Sequence, residues 1–218
     1  MNIKGKMLLL FGVITFFLII LSVVSFVSHD QTDWLNNVFF DKVYSLILAP
    51  SYLLSISYID SNMTLPKVIR IGSRTKVLFL SLVGKIIFTL IYFWLWFMLI
   101  IVFSLLNYPS IYEMILADML GVFFRYFLGF ILLSTIVELF RRTKNQYIAQ
   151  MPYLFAYLIL VIELLVVIHQ IALATPFKIH ILFSWVFYDG VRAYLYLGIV
   201  LFLLIGYLFK SSIRRDIL

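Results

Sequence analysis

Cysteine is absent from the 218 residues, and only 12% of them carry a charge. Without cysteine there is no disulfide framework, no thiolate nucleophile and no cysteine-based metal site. Histidine occurs only at His29, His169 and His180, too scattered for the His-Glu-x-x-His of a zinc protease. The phosphate-cradling Gly-x-x-x-x-Gly-Lys-Ser/Thr loop is missing, since Gly84-Lys85 falls inside an apolar run. No Gly-x-Ser-x-Gly elbow exists either, because Ile71-Gly72-Ser73-Arg74 lacks the second glycine. These absences argue against an enzyme with its own catalytic site or its own ATP site.

What fills the chain instead is hydrophobic: 64% of the residues, with a mean hydropathy of +1.10. A soluble domain carries roughly 45–50% apolar and about 25% charged residues. A globule of this size exposes too much of its surface to hide such an excess from water. The composition therefore specifies a polytopic membrane protein and excludes soluble enzymes, nucleic-acid binders and secreted scaffolds. The net charge of +7 is read as basic cytoplasmic loops, not as affinity for nucleic acid.

Long continuous apolar runs, rather than alternating ones, exclude a β-barrel and require helices that satisfy their own backbone. The expected fold is all-α, a single transmembrane domain with spans at about 7–27, 43–59, 77–106, 114–140, 153–173 and 191–209. The first run follows a basic N-terminus like a signal peptide but lacks an Ala-x-Ala-like cleavage site, so it is expected to be retained. Pro50 predicts a kink in the second span, and Pro152 opens the fifth at the first-turn position where a missing N–H costs little. The third run is too long for the hydrocarbon at 1.5 Å per residue and must tilt or project. Segment 60–76 is the most polar stretch between spans, and 174–190 is an aromatic external segment.

Basic residues are segregated. Lys4, Lys6, Lys67, Arg70, Arg74, Lys76, Arg141, Arg142, Lys144, Lys210, Arg214 and Arg215 fall on one side, and Lys42, Lys178 and Arg192 on the other. The positive-inside rule puts the larger group, and with it both termini, in the cytoplasm. An even number of spans follows, and six fit the runs.

Three charges fall well inside the spans, where burial is expensive and such groups tend to be functional. Lys85, about eight residues into the third span, is expected to snorkel back to the headgroups. Arg125 and Glu163 lie at similar depths in the fourth and fifth spans, within reach of each other. Such a pair serves either helix packing or the polar lining of a substrate path. Glu138 with Arg141 and Arg142, at i, i+3 and i+4, reads as a solvated ion cluster closing the fourth span. The run Tyr92-Phe93-Trp94-Leu95-Trp96-Phe97 covers all sides of a helix and reads as bulk packing and lipid contact.

In segment 60–76, Lys67, Arg70 and Arg74 form one stripe and Val68 with Ile71 another. A short amphipathic helix there suits either an anionic lipid surface or a cleft in a soluble partner. The string Arg70-Ile71-Gly72-Ser73-Arg74, set after the second of six spans and before a long third, resembles the ABC-2 type exporter permeases. The resemblance covers the whole chain as architecture but only about ten residues as motif. It implies six spans with both termini inside. It also implies a separate ATP-binding-cassette subunit, holding ATP and Mg and docked on segment 60–76 through Lys67, Arg70, Gly72, Ser73 and Arg74. A homodimer, or a heterodimer with a related permease, would form the pathway in the membrane of a bacterial cell. The aromatic segment 174–190 resembles the family's external hairpin. Only six residues precede the first span, so the family's leading amphipathic helix is nearly missing, as in small exporters of peptides and toxins. The expected cargo is a hydrophobic or amphipathic peptide, drug or lipid. The rival reading is a non-catalytic immunity or accessory protein that binds another membrane component.

Overall fold

The computed structural model describes Tyr44, residues 48–61, 73–107, 112–168, Val186 and residues 191–216. Expectations for the first span, for Lys67, Arg70 and Gly72, and for most of 174–190 fall outside these residues. Every described element is a helix: α1 (Ala49–Ser61), α2 (Arg74–Asn107), α3 (Tyr112–Arg141), α4 (Gln146–Gln150), α5 (Pro152–Ile168) and α6 (Val191–Asp216).

Helix ends follow local chemistry. Ser73 caps α2: its carbonyl accepts from Val77 N at 3.1 Å and its hydroxyl from Lys76 N at 3.4 Å. The Asn145 side chain accepts from Tyr147 N at 3.0 Å and starts the single-turn α4, which hydropathy had not indicated. Pro152 stands first in α5, where its missing N–H costs little, and Pro50 lies in the first turn of α1, directly after π-helical backbone at Leu48.

Apolar stretches Thr75–Met98 of α2, Leu120–Arg141 of α3 and Val191–Ile213 of α6 are each long and apolar enough to cross a membrane. The most enclosed is that of α3, with 56% of its apolar window buried against 33% for α2 and 22% for α6. α3 packs on α1, α2, α5 and α6 and forms the axis of the bundle. Large apolar side chains such as Phe79, Ile87 and Leu90 on α2, Leu158 and Ile162 on α5, and Phe202 and Leu203 on α6 face outward. In water these would be costly at about 25 cal/mol per Å² of apolar surface. In hydrocarbon they are not.

The long helices alternate in direction in chain order. Phe93 of α2 meets Phe123 of α3 at 4.7 Å while Ser81 of α2 meets Glu138, so α2 and α3 are antiparallel. Leu208 of α6 packs with Leu78 and Leu82 near the start of α2. The ends of α1, α3 and α6 and the starts of α2 and α5 thus share one end of the bundle. That end carries Lys76, Arg141, Arg142, Lys144 and Lys210.

The core is aromatic. Tyr44, Tyr52, Tyr92, Phe93 and Phe130 lie with ring centroids 4.5–5.9 Å apart in their contacts. The run at 92–97 is one-faced after all: Tyr92, Phe93, Trp96 and Phe97 are buried, and Trp94 is outside. Gly129 permits the closest approach, because a Cβ there would stand 2.5 Å from the Tyr44 hydroxyl and 2.9 Å from a Val186 methyl.

Candidate functional site

At the basic end of the bundle, residues from four helices, α1, α2, α3 and α5, converge on two carboxylates. Asp60 lies one residue before the end of α1, Glu138 three before the end of α3, and Lys85 about three turns into α2. Helical Cα–Cβ bonds tilt toward the N-terminus. On α1 and α3, which arrive at this end, that tilt aims Asp60 and Glu138 back into the bundle. On α2, which departs from it, the same tilt sends the Lys85 stem toward the basic end. The three groups therefore meet in the interior.

Lys85 Nζ donates to Glu138 Oε1 at 2.5 Å and pairs with Asp60 Oδ2 at 3.2 Å. Ser81, one turn earlier on α2, donates to the same Glu138 oxygen at 2.8 Å. Arg141 Nη1 bridges Asp60 Oδ2 at 3.1 Å and Glu138 Oε1 at 3.5 Å, and Arg142 Nε reaches Glu138 Oε2 at 3.5 Å. Tyr153, in the first turn of α5, donates its hydroxyl to Asp60 Oδ2 at 2.6 Å. Exposure is 4% for Asp60, 1% for Lys85 and 3% for Glu138. Two buried carboxylates are thus neutralised by one buried ammonium and by guanidinium groups at the rim.

Two expectations change here. Lys85 takes the snorkelling direction, but its ammonium stops on carboxylates inside the protein instead of reaching the headgroups. Glu138 keeps its i+3 and i+4 arginines, yet it is buried and shared with α1 and α2, so the cluster is tertiary. Asp60, Ser81 and Tyr153 had no signal of their own in the sequence. A usable one was present: the first acid after an apolar run and a lysine well inside the next run must point at each other if both runs are antiparallel helices.

A ladder of hydroxyls continues inward from the cluster. Thr89 Oγ1 bonds the Lys85 carbonyl at 2.7 Å and meets Tyr52 Oη at 2.5 Å. Ser51 Oγ and Tyr92 Oη are 2.8 Å apart one turn further along α2. Deeper still, Arg125 on α3 and Glu163 on α5 are both buried. Arg125 is 13 residues from Glu138, about 20 Å along the helix at 1.5 Å per residue. Ser73 and Arg74 stand at the start of α2, where Ser73 serves as the cap already described. Among the described residues no group of three His, Cys, Asp or Glu side chains has a metal-binding arrangement.

The chain matches no protein-family model, no curated protein and no solved structure. Class follows from the physics alone: three helices of membrane-crossing length, apolar outer faces and a buried ionic interior define an all-helical membrane protein.

Proposed function

We propose that this protein is the permease subunit of an ATP-driven exporter in a bacterial plasma membrane, with six spans and both termini in the cytoplasm. One observation carries the reading. The basic segment is gripped at both ends by a single buried cluster, with Asp60 just before it and Ser81 and Lys85 on the helix that leaves it. A push on the segment then acts on α1 and α2 together, and through Glu138 and Tyr153 on α3 and α5. Packed interfaces of this kind move as rigid bodies between discrete arrangements.

In this reading a separate ATP-binding-cassette subunit binds ATP and Mg and docks on Lys67, Arg70, Gly72, Ser73 and Arg74. Two permease chains, identical or related, enclose the path. Arg125 and Glu163 pair across α3 and α5 and give the path its polar lining, as their shared burial supports. The cargo is a hydrophobic or amphipathic peptide, drug or lipid. This chain contributes no catalytic group and no ATP site.

Changing Arg70 and Arg74 together to Glu is expected to abolish co-purification of the ATPase subunit while leaving the permease in the membrane. Undiminished co-purification overturns the docking site. A chain that purifies from its native membrane with no nucleotide-binding partner at all overturns the exporter reading in favour of an accessory or immunity protein.

A further inference from the structure

The start of α2 and the end of α6 leave a groove of about 430 Å³ between them, lined by Thr75, Lys76, Phe79, Leu80 and Phe209. Its depth is defined by the helices themselves. Thr75 opens the apolar stretch of α2, and Phe209 lies one turn inside Ile213, where the apolar stretch of α6 closes. Lys76 therefore stands at the polar end of the apolar stretch of α2, and Phe79 and Leu80 lie about 5 Å further into it at 1.5 Å per residue. Lys210, next to Phe209, is exposed at the same end of α6.

These two lysines differ from the cations of the buried cluster. Lys85 and Arg141 are neutralised by Asp60 and Glu138. Neither Lys76 nor Lys210 has an ion-pair partner among the described residues. The groove thus offers an apolar wall with the unneutralised Lys76 in its lining and the exposed Lys210 next to Phe209 in sequence, on the side where the basic loops gather.

We infer that this groove holds an anionic phospholipid, with its phosphodiester headgroup at Lys76 and Lys210 and an acyl chain along Phe79, Leu80 and Phe209. The charge complementarity is the reason for choosing a lipid over a second protein chain: basic pockets between spans on the cytoplasmic side suit anionic headgroups. A zwitterionic lipid would fill the same apolar wall while leaving both ammonium groups without a net countercharge. The inference does not depend on the exporter reading.

The test is native mass spectrometry of the purified full chain in detergent with equimolar phosphatidylglycerol and phosphatidylcholine. Phosphatidylglycerol is expected to be retained roughly tenfold over phosphatidylcholine at low salt, given two surface lysines. The double variant Lys76→Gln and Lys210→Gln should bring that ratio close to one. Lys144→Gln, on the connection to α4 and on neither groove helix, should leave it unchanged. Leu80→Trp, which fills the groove at an outward-facing position, should lower retention of both lipids. Helical content by circular dichroism checks that each variant is folded. Equal retention of the two lipids by the unaltered chain overturns the proposal. So does a preference that survives the double variant, or a lipid-free dimer with the groove closed by a second copy.

Discussion

Lys85 concentrates the energetic tension of the molecule in one side chain. Burying an ion is costly unless its charge is met and its hydrogen bonds are made. Here both conditions hold, through Glu138, Asp60 and the neighbouring Ser81 bond. Removing one member leaves the others uncompensated, so Lys85→Met is expected to destabilise the fold by about 3–5 kcal/mol. Glu138→Gln should do so as well. The double variant should cost less than the sum, because neither residual charge is then stranded by the loss of its partner. Thermal or denaturant unfolding in detergent measures all three. Strict additivity would separate Lys85 from Glu138 energetically.

Gly129 poses the opposite problem, of space. A single methyl there would overlap the Tyr44 hydroxyl at 2.5 Å and the Val186 side chain at 2.9 Å. Gly129→Ala should therefore destabilise by about 1–3 kcal/mol through overpacking, despite the better helix propensity of alanine. Adding Tyr44→Phe and Val186→Ala should recover much of the loss in the same unfolding assay. No recovery would move the cause from packing to the backbone.

At the scale of helices, α2 shows how one element serves two media. Buried positions 78, 81, 82, 85, 88, 89, 92, 93, 96 and 97 recur at helical spacing and form its inner stripe. The stripe carries all three of its chemical tasks: leucine packing, the ionic cluster and the aromatic core. Opposite it, Trp94 is 50% exposed where Trp96 is 1% exposed. A variant whose only tryptophan is Trp94 should be quenched strongly by lipids brominated in the acyl chain. One whose only tryptophan is Trp96 should be quenched weakly. Equal quenching would mean that α2 is rotated from this placement.

Hydropathy found α2, α3 and α6 because their apolar runs exceed the membrane's need. It did not resolve which face of α2 turns inward. Tyr92 to Phe97 are all aromatic or aliphatic, so no polar residue marks an outer side, and the partner faces of α1 and α3 decide. Ser73 was legible as part of a motif, but its local role as a cap on α2 rests on backbone geometry.

For the whole molecule, the gathering of Lys76, Arg141, Arg142, Lys144 and Lys210 at one end is consistent with a cytoplasmic face there. The absence of cysteine makes the chain its own background for labelling. Lys144→Cys and Lys210→Cys should react with a membrane-impermeant maleimide only after the cells are permeabilised. Ser110→Cys, between the third and fourth apolar runs of the sequence, should react in intact cells. The reverse pattern would invert the molecule, and labelling of Lys144→Cys and Ser110→Cys from the same side would change the number of crossings.

Composition and charge order were sufficient, without coordinates, for the solvent, the helical class and the segregation of basic residues. Those properties depend on local sums: transfer free energy per residue, backbone hydrogen bonding in hydrocarbon, and loop charge. Which acids meet Lys85 depends on something no local sum contains. Asp60 is 25 residues before it and Glu138 is 53 after it, and each alone resembles a residue on its way out of the membrane. Only the antiparallel packing of α1, α2 and α3 turns a lysine expected at the headgroups into the centre of a buried ionic cluster, because burial makes its nearest carboxylates the better solvent.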